Sequence, residues 1–335
     1  MDSVGSLSPN ASPLPSEPKN VGQLGIRVKG KDVLVPSVQI QGQAVITSGK
    51  WLKIASIHDE ELLEGECVTD PETFVRELKH SGLKADLFTF AQKVPESTPK
   101  YGYHIEFDNW AVIPVGNFQA WWEKQVEPSV RRAVRKSAKE GVEVRVAPFD
   151  DEFINGIVAI NNETPVRQGR PFWHYGKSFE QVKRENSTYS DRNLFFGAYF
   201  ENELIAFMRI TLVGNVAHIL QLLPMMKHAD KRLGNALIAK AVEVCAEKGM
   251  CQLVYCNYIY NDPSSSLTEF KRRNGFTKVL APRYFVPLTR KGQLALRFGL
   301  HKQFVKHLPP SVVSRLLKIR NEWYSRKAKM NEGSV

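Results

Sequence analysis

The chain is 335 residues long, 42% hydrophobic and 24% charged, with a formal net charge of +11. This excludes a wholly disordered or collagen-like polymer and leaves apolar side chain enough for one large domain or two. No stretch reaches the ~20 apolar residues of a membrane-spanning helix; the most apolar one, 204–226, is interrupted by Arg209, Asn215, His218 and Gln221.

Residues 1–20 hold four prolines and five serines without apolar periodicity, so a disordered leader is expected over 1–22. Its first basic residue is Lys19, which is not the charged start of a secretory signal. Short β-type runs follow at 32–36, 38–46 and 51–57. Asp70 and Pro71 signal a helix start, Phe74, Val75 and Leu78 form its apolar stripe, and Gly82 ends it. Strands are expected at 85–91 and 103–115, then helices at 118–124 and 128–140, the latter closed by Gly141. In 142–146, Val142, Val144 and Val146 alternate with Glu143 and Arg145, the pattern of a half-buried strand. Asp150 or Asp151 caps a helix running through Phe153, Ile154, Ile157, Val158 and Ile160.

A polar loop, 163–177, and a short helix, 178–187, lead to strands at 194–200, 204–213 and 216–223. The turns at 201–203 and 214–215 predict an antiparallel meander. A helix over 235–248 stopped by Gly249, a strand at 252–258, a helix at 267–274 stopped by Gly275, and strand pieces at 276–280 and 284–288 complete the body. From 142 onward the order is β-α-α-β-β-β-α-β-α-β-β. The preceding region reads roughly β-β-β-α-β-β-β, a candidate decayed copy of the same plan.

From Arg283 onward, twelve Lys and Arg stand against two acids, Glu322 and Glu332, so nearly all the positive excess lies in the last 53 residues. There Val312, Leu316, Ile319 and Trp323 recur at helical spacing among Arg315, Lys318 and Arg320. Such a basic helical tail, 291–335, suits peripheral membrane contact or docking on its own domain. Arg132, Arg135 and Lys139 line one helix face and suit an anionic partner such as a nucleic acid. Cys67, Cys245, Cys251 and Cys256 show neither a C-x-x-C pair nor a histidine at metal spacing. They read as reduced core thiols of a cytoplasmic protein, with no metal expected.

The segment Lys231-Arg232-Leu233-Gly234-Asn235-Ala236 opens a helix after a central strand. Free N–H groups and the helix dipole make such a start an anion site; Gly234 admits a close backbone approach, and Lys231 and Arg232 add charge. With the element order, this segment resembles the [QR]-x-x-G-x-[GA] loop of the GNAT superfamily of N-acyltransferases. The run ending Asn274-Gly275-Phe276 resembles the second-helix signature of that superfamily. Ordinary members carry a proton-donating Tyr four residues before the Gly; here Lys271 stands there. Phe270-Lys271 is more similar to the F-K-x-x-x-G of the Fem-type branch, whose members hold two tandem GNAT-like domains. Arg131 to Lys136, followed by Gly141-Val142, resembles that branch too.

The resemblance implies an α/β (mixed α+β) fold of two tandem GNAT-like domains, 23–127 and 128–290, each a mostly antiparallel mixed sheet flanked by helices. It implies transfer of an acyl group from acetyl-CoA, a longer acyl-CoA or an acyl carrier to a small-molecule or peptide amine. The Fem-type alternative draws on aminoacyl-tRNA; a third reading is an inactive GNAT fold that binds a membrane or protein through its basic tail. Lys231 to Ala236 would hold the donor phosphates, and backbone N–H groups along a splayed strand at 216–223 would polarise the carbonyl. Glu163 and His174, in the loop overhanging the acceptor, are candidate bases. Arg167 and Arg170 are forks for a carboxylate or phosphate, with Tyr175 beside them. Tyr258 or Tyr260 would replace the missing proton donor, Tyr260 being the selected candidate. His218 and Gln221, three apart on the strand, are expected on opposite faces, with His218 a minor acceptor-side candidate.

Overall fold

The computed structural model describes residues 21–28, 31–167, 169–260 and 263–302. The expected leader, up to residue 20, and the expected tail from 303 on lie outside the described residues. The first half forms β1 (Gly22–Val28), β2 (Lys31–Ile40), β3 (Gln43–Ser48), β4 (Ile54–Ile57), α1 (Pro71–His80), β5 (Leu87–Ala91) and β6 (His104–Pro114). Then come α2 (Phe118–Lys124), α3 (Pro128–Lys139), β7 (Glu143–Ala147), α4 (Asp151–Asn162), the two-residue strands β8 (Val166–Arg167) and β9 (Arg170–Pro171), and α5 (Phe179–Asn186). The remainder is β10 (Asn193–Phe200), β11 (Glu203–Val213), β12 (Val216–Pro224), α6 (Leu233–Glu247), β13 (Gln252–Asn257), α7 (Ser266–Arg273), β14 (Thr277–Pro287) and α8 (Arg290–Arg297).

Helix starts follow their caps. Asp70, Asn117 and Asp150 accept from Thr73 N, Ala120 N and Phe153 N, and Ser178 forms a reciprocal capping box with Gln181. Three expectations are corrected. The strand expected over 38–46 is a hairpin, because Gln41 and Gly42 both take positive φ and turn the chain. The pieces at 276–280 and 284–288 are one strand, β14, continuous through Ala281 and Pro282. Residue 22, assigned to the leader, already pairs in β1 against Ser37.

The fold is mixed α/β, a twelve-stranded sheet in the order β1-β2-β3-β4-β5-β14-β6-β13-β12-β11-β10-β7. Neighbours are antiparallel except β4 with β5 and β12 with β13, each parallel pair joined through one main helix, α1 or α6. The arrangement is symmetric about its centre. There β14 from the second half pairs with β5, β6 from the first half pairs with β13, and β6 and β14 pair with each other from Val112↔Thr277 to His104↔Phe285. Two main cores result. One holds Phe74, Leu78, Phe88 and Phe90 together with Tyr284 and Val286 from β14; the larger holds Trp121, Phe196, Phe207, Leu237 and Val242. In this second half α6 packs on one face of the sheet with α2 and α3. Helix α4 covers the other face, Phe153 meeting Phe195 and Phe207 edge-on.

Candidate active site

Strands β12 and β13 pair only at Val216↔Gln252, Ala217↔Leu253 and His218↔Val254, and then part. Two irregularities open the fork. In β12, Ile219 faces Ile210 and Gln221 faces Arg209, so Leu220 is an extra, bulged residue. In β13 the register with β6 breaks between Val254 and Asn257, where Cys256 takes φ +46°. The bulge also overturns one expectation. The cross-strand partners of His218 and Gln221, Thr211 and Arg209, are two residues apart on β11, so His218 and Gln221 share a face.

Three polar side chains converge on this fork. Cys256 Sγ lies 3.9 Å from Ile219 O, spanning the gap. Lys271 is wholly buried; its Nζ donates to Asn257 O at 2.5 Å and lies 4.6 and 4.9 Å from the ring centroids of Tyr255 and Tyr260. Burial drives the Lys271 ammonium down to about 8. Burial, then the neighbouring Cys256, pushes the Tyr260 hydroxyl up, and burial raises the Cys256 thiol. An ammonium that releases its proton near neutrality therefore sits where the superfamily's tyrosine is expected.

The start of α6 lies beside the fork. Arg232 adopts the left-handed conformation and supplies no side-chain cap, while Asn235 N donates to Arg232 O. A cavity of about 430 Å³ between α3, α6 and α7 is lined by Ser129, Ala133, Arg232, Asn235, Phe270 and Arg273. A Cβ on Gly234 would stand 3.3 Å from the Phe270 ring, so glycine keeps this approach clear. The predicted segment divides by role. Arg232 and Asn235 face the cavity, and Leu233 and Ala236 anchor the helix in the core. Lys231 turns its Nζ over the Phe200 ring, 4.1 Å from the centroid.

The loop 163–177 is mostly engaged with itself and its supports. Glu163 accepts from Met226 N at 2.6 Å, Lys227 N at 2.7 Å and Arg167 at 3.2 Å. Arg167 also donates to Pro224 O and Ile160 O and covers the Phe172 ring. This pair ties the end of α4 to the end of β12 and the turn before α6. Lys177 Nζ lies 2.9 Å from His174 Nδ1 and 2.5 Å from Glu185, which Arg27 of β1 also reaches at 2.7 Å. Burial, reinforced by Lys177, lowers His174 to about 4, so the ring is neutral and weakly basic at pH 7. Trp173 and Tyr175 are exposed, as is Arg170 on β9.

On the face of β12 that carries His218, a cavity of about 410 Å³ separates the two halves. Its walls include Glu61, Glu64, Lys93, Trp110, His218 and Arg283. Most charges here are satisfied: Arg283 binds Glu60 at 3.2 Å and Asp108 at 2.6 Å, and Lys93 donates to Glu60 O and Leu63 O. Glu61 and Glu64 at the mouth have no ion-pair partner among the described residues. His218 is 8% exposed, with no hydrogen-bond partner among the described residues, and burial lowers it to about 4.

Residues 160–276 match the family model described as Acetyltransferase (GNAT) family. The chain carries a GNAT domain. A curated relative, spermidine N(1)-acetyltransferase of Thermoplasma acidophilum, is 28% identical over 83 residues, 25% of this chain. The chain spans about half the length of that relative, 50%. Solved structures are similar over more of the chain. FemX superposes with a TM-score of 0.52 at 11% identity, covering 84% of this chain and 90% of its own. L-PGS from Bacillus licheniformis gives 0.51 at 16%, covering 78% and 88%. The C-terminal domain of a putative lysylphosphatidylglycerol synthetase from Agrobacterium fabrum gives 0.50 at 12%, covering 78% and 86%. At such identities the likeness is one of fold.

Proposed function

We propose that the protein transfers an acyl group from a CoA thioester to an amine that carries a second positive charge. The observation that carries this reading is the fork: a bulged β12 parts from β13 beside an uncapped helix start, with Lys271 behind the gap. The donor diphosphate lies at the N–H groups of Leu233 and Gly234, with Arg232 and Asn235 at the cavity wall. The thioester enters the fork, where unpaired backbone N–H groups of residues 219–223 stabilise the oxyanion. The amine approaches from the opposite face, through the cavity between residues 23–127 and 128–290, and attacks the carbonyl carbon. The C–S bond breaks and the Lys271 ammonium gives its proton to the departing sulfur. His218, held unprotonated, accepts a hydrogen bond from the incoming neutral amine; the N–H proton lost as the amide forms passes to water, from which the neutral Lys271 amine is reprotonated. Glu61, Glu64 and the Trp110 ring at the mouth suit a distal ammonium, and the match to a spermidine acetyltransferase supports that acceptor class.

A Fem-type, aminoacyl-tRNA-dependent reaction is the second reading. It is favoured by Phe270-Lys271 and by the basic face of α3, where Arg132, Arg135 and Lys139 have no acid partner among the described residues.

A thermal-shift and turnover screen separates the readings. Acetyl-CoA at a hundredfold excess over Kd adds ~2.7 kcal/mol of stability, and Gly234→Val, which sets a side chain against Phe270, removes most of that shift. A diamine is acylated faster than a monoamine of equal length. Shifts with charged tRNA alone replace this reading by the second; silence from every donor overturns both.

A further inference from the structure

A side-chain cluster outside the fork has the donors of a metal centre. His104 and Glu106 stand two apart on β6 and so share a face, and His301 follows the last turn of α8 to meet them. One ligand atom from each lies within 4.8 Å of the other two. His301 Nε2 is 2.8 Å from Glu106 Oε1, its side chain is 1% exposed, and its Nδ1 is buried without a hydrogen-bond partner. The two imidazoles meet edge-on, their centroids 5.2 Å apart, and the Phe285 ring packs against both. A hydrophobic ring behind two imidazoles limits their rotation, so the donors are preorganised by packing. From the metal set the chemistry is selective: two imidazole nitrogens and one carboxylate oxygen suit a borderline divalent ion.

We propose that His104, Glu106 and His301 bind one Zn²⁺ ion, or a similar first-row divalent cation, with water completing a tetrahedral shell. Ligand bonds of about 2.0–2.2 Å need the donors to close to roughly 3.3 Å from one another. His104 is exposed on its solvent side, so a small inward shift of its ring closes the remaining distance. The competitor is visible: Lys302 Nζ sits 3.2 Å from Glu106 Oε1 on a side chain 39% exposed. The ion displaces this ammonium and keeps the carboxylate neutralised. Its effect is mechanical, since it ties the turn after α8 to β6 at the centre of the sheet. The inference is independent of acyl transfer, for the cluster neither borders the fork nor lines either cavity described above.

The test uses the full chain after dialysis against a chelator, titrated with Zn²⁺ by calorimetry and with Co²⁺ by visible absorption. One equivalent is expected, with the intense d–d bands of tetrahedral Co²⁺ and a Zn²⁺-dependent rise in Tm of roughly 5 °C at a hundredfold excess over Kd. His104→Ala, at an exposed position that leaves the core intact, and Glu106→Gln each weaken binding at least tenfold. Lys302→Ala tightens it several-fold by removing the competitor, and His80→Ala on α1 leaves it unchanged. Absence of one-to-one binding overturns the proposal. So does affinity unchanged in both His104→Ala and Glu106→Gln, or weakened in Lys302→Ala.

Discussion

Lys271 shows how one residue can be read as a defect in the sequence and as an asset in the fold. By pattern it breaks a tyrosine rule; by position it is a buried amine with a carbonyl at 2.5 Å and two aromatic rings against it. The spacing of Phe270 and Lys271 before Gly275 was legible, but burial and the resulting loss of basicity were not, because they arise from Tyr255 and Tyr260 arriving from β13 and beyond. If Lys271 delivers the proton to sulfur, Lys271→Met lowers kcat by about 10²-fold or more. The wild-type rate then falls as pH rises through about 8, and the variant lacks that limb. The same residue sets a stability signature. Its folded value of about 8 lies below the unfolded ~10.4, so the unfolded chain binds more protons between those pH values and wild-type stability rises with pH across the window. Urea unfolding from pH 7 to 10.5 checks this: the gain appears in the wild type and is absent from Lys271→Met, which at pH 7 is no less stable than the wild type. A wild-type curve parallel to that of Lys271→Met would remove Lys271 from the mechanism.

At the scale of elements, helices and hairpins were legible because their signals are local. Asp70, Asp150 and Ser178 cap the helices they precede, and Gly141, Gly249 and Gly275 end others. The bulge at Leu220 was not, since strand alternation assumes an unbroken period of two and the extra residue shows only against β11. The loop 163–177 presents the opposite difficulty. Its mix of Glu, Arg, His and aromatics reads as a binding loop, yet Glu163 and Arg167 spend their hydrogen bonds on Met226, Lys227, Ile160 and Pro224. Their side chains are 14% and 10% exposed, so removing one partner leaves a buried charge uncompensated. Arg167→Met is therefore expected to destabilise the protein by about 3 kcal/mol in chemical denaturation, with catalytic constants of the surviving folded fraction changed less than threefold. A stable variant with a raised acceptor KM would return Arg167 to the substrate side.

At the scale of the whole molecule, the exchange of β6 and β14 makes the halves mutually dependent. Nothing in the local pattern of 103–115 or 276–288 reveals that each strand completes the other half's sheet, because the information lies in pairings between residues far apart in sequence, such as Pro114 with Gln252 and Leu87 with Pro287. Tyr284 shows the consequence. It belongs to β14, from the second half, yet its ring is wholly buried in the first core against Phe90 and Tyr101. Its hydroxyl donates to Gln92 and accepts from Lys100 N at 2.7 Å. A chain beginning at residue 116 would lack both strands that flank β14 and one that flanks β13, leaving β14 without a partner and β13 with an open edge. Two expectations follow. Residues 116–302 alone should aggregate or fail to fold, whereas the whole chain should melt in one calorimetric transition despite its two cores. Tyr284→Ala, a deletion of ~4 kcal/mol in the first core, should lower the whole transition without splitting it. Two resolved transitions in the wild type, or a shift confined to one of two in the variant, would mean that β6 and β14 do not couple the halves. The cavity between them would then be a mobile seam, and the acceptor site proposed there would lose its rigid wall.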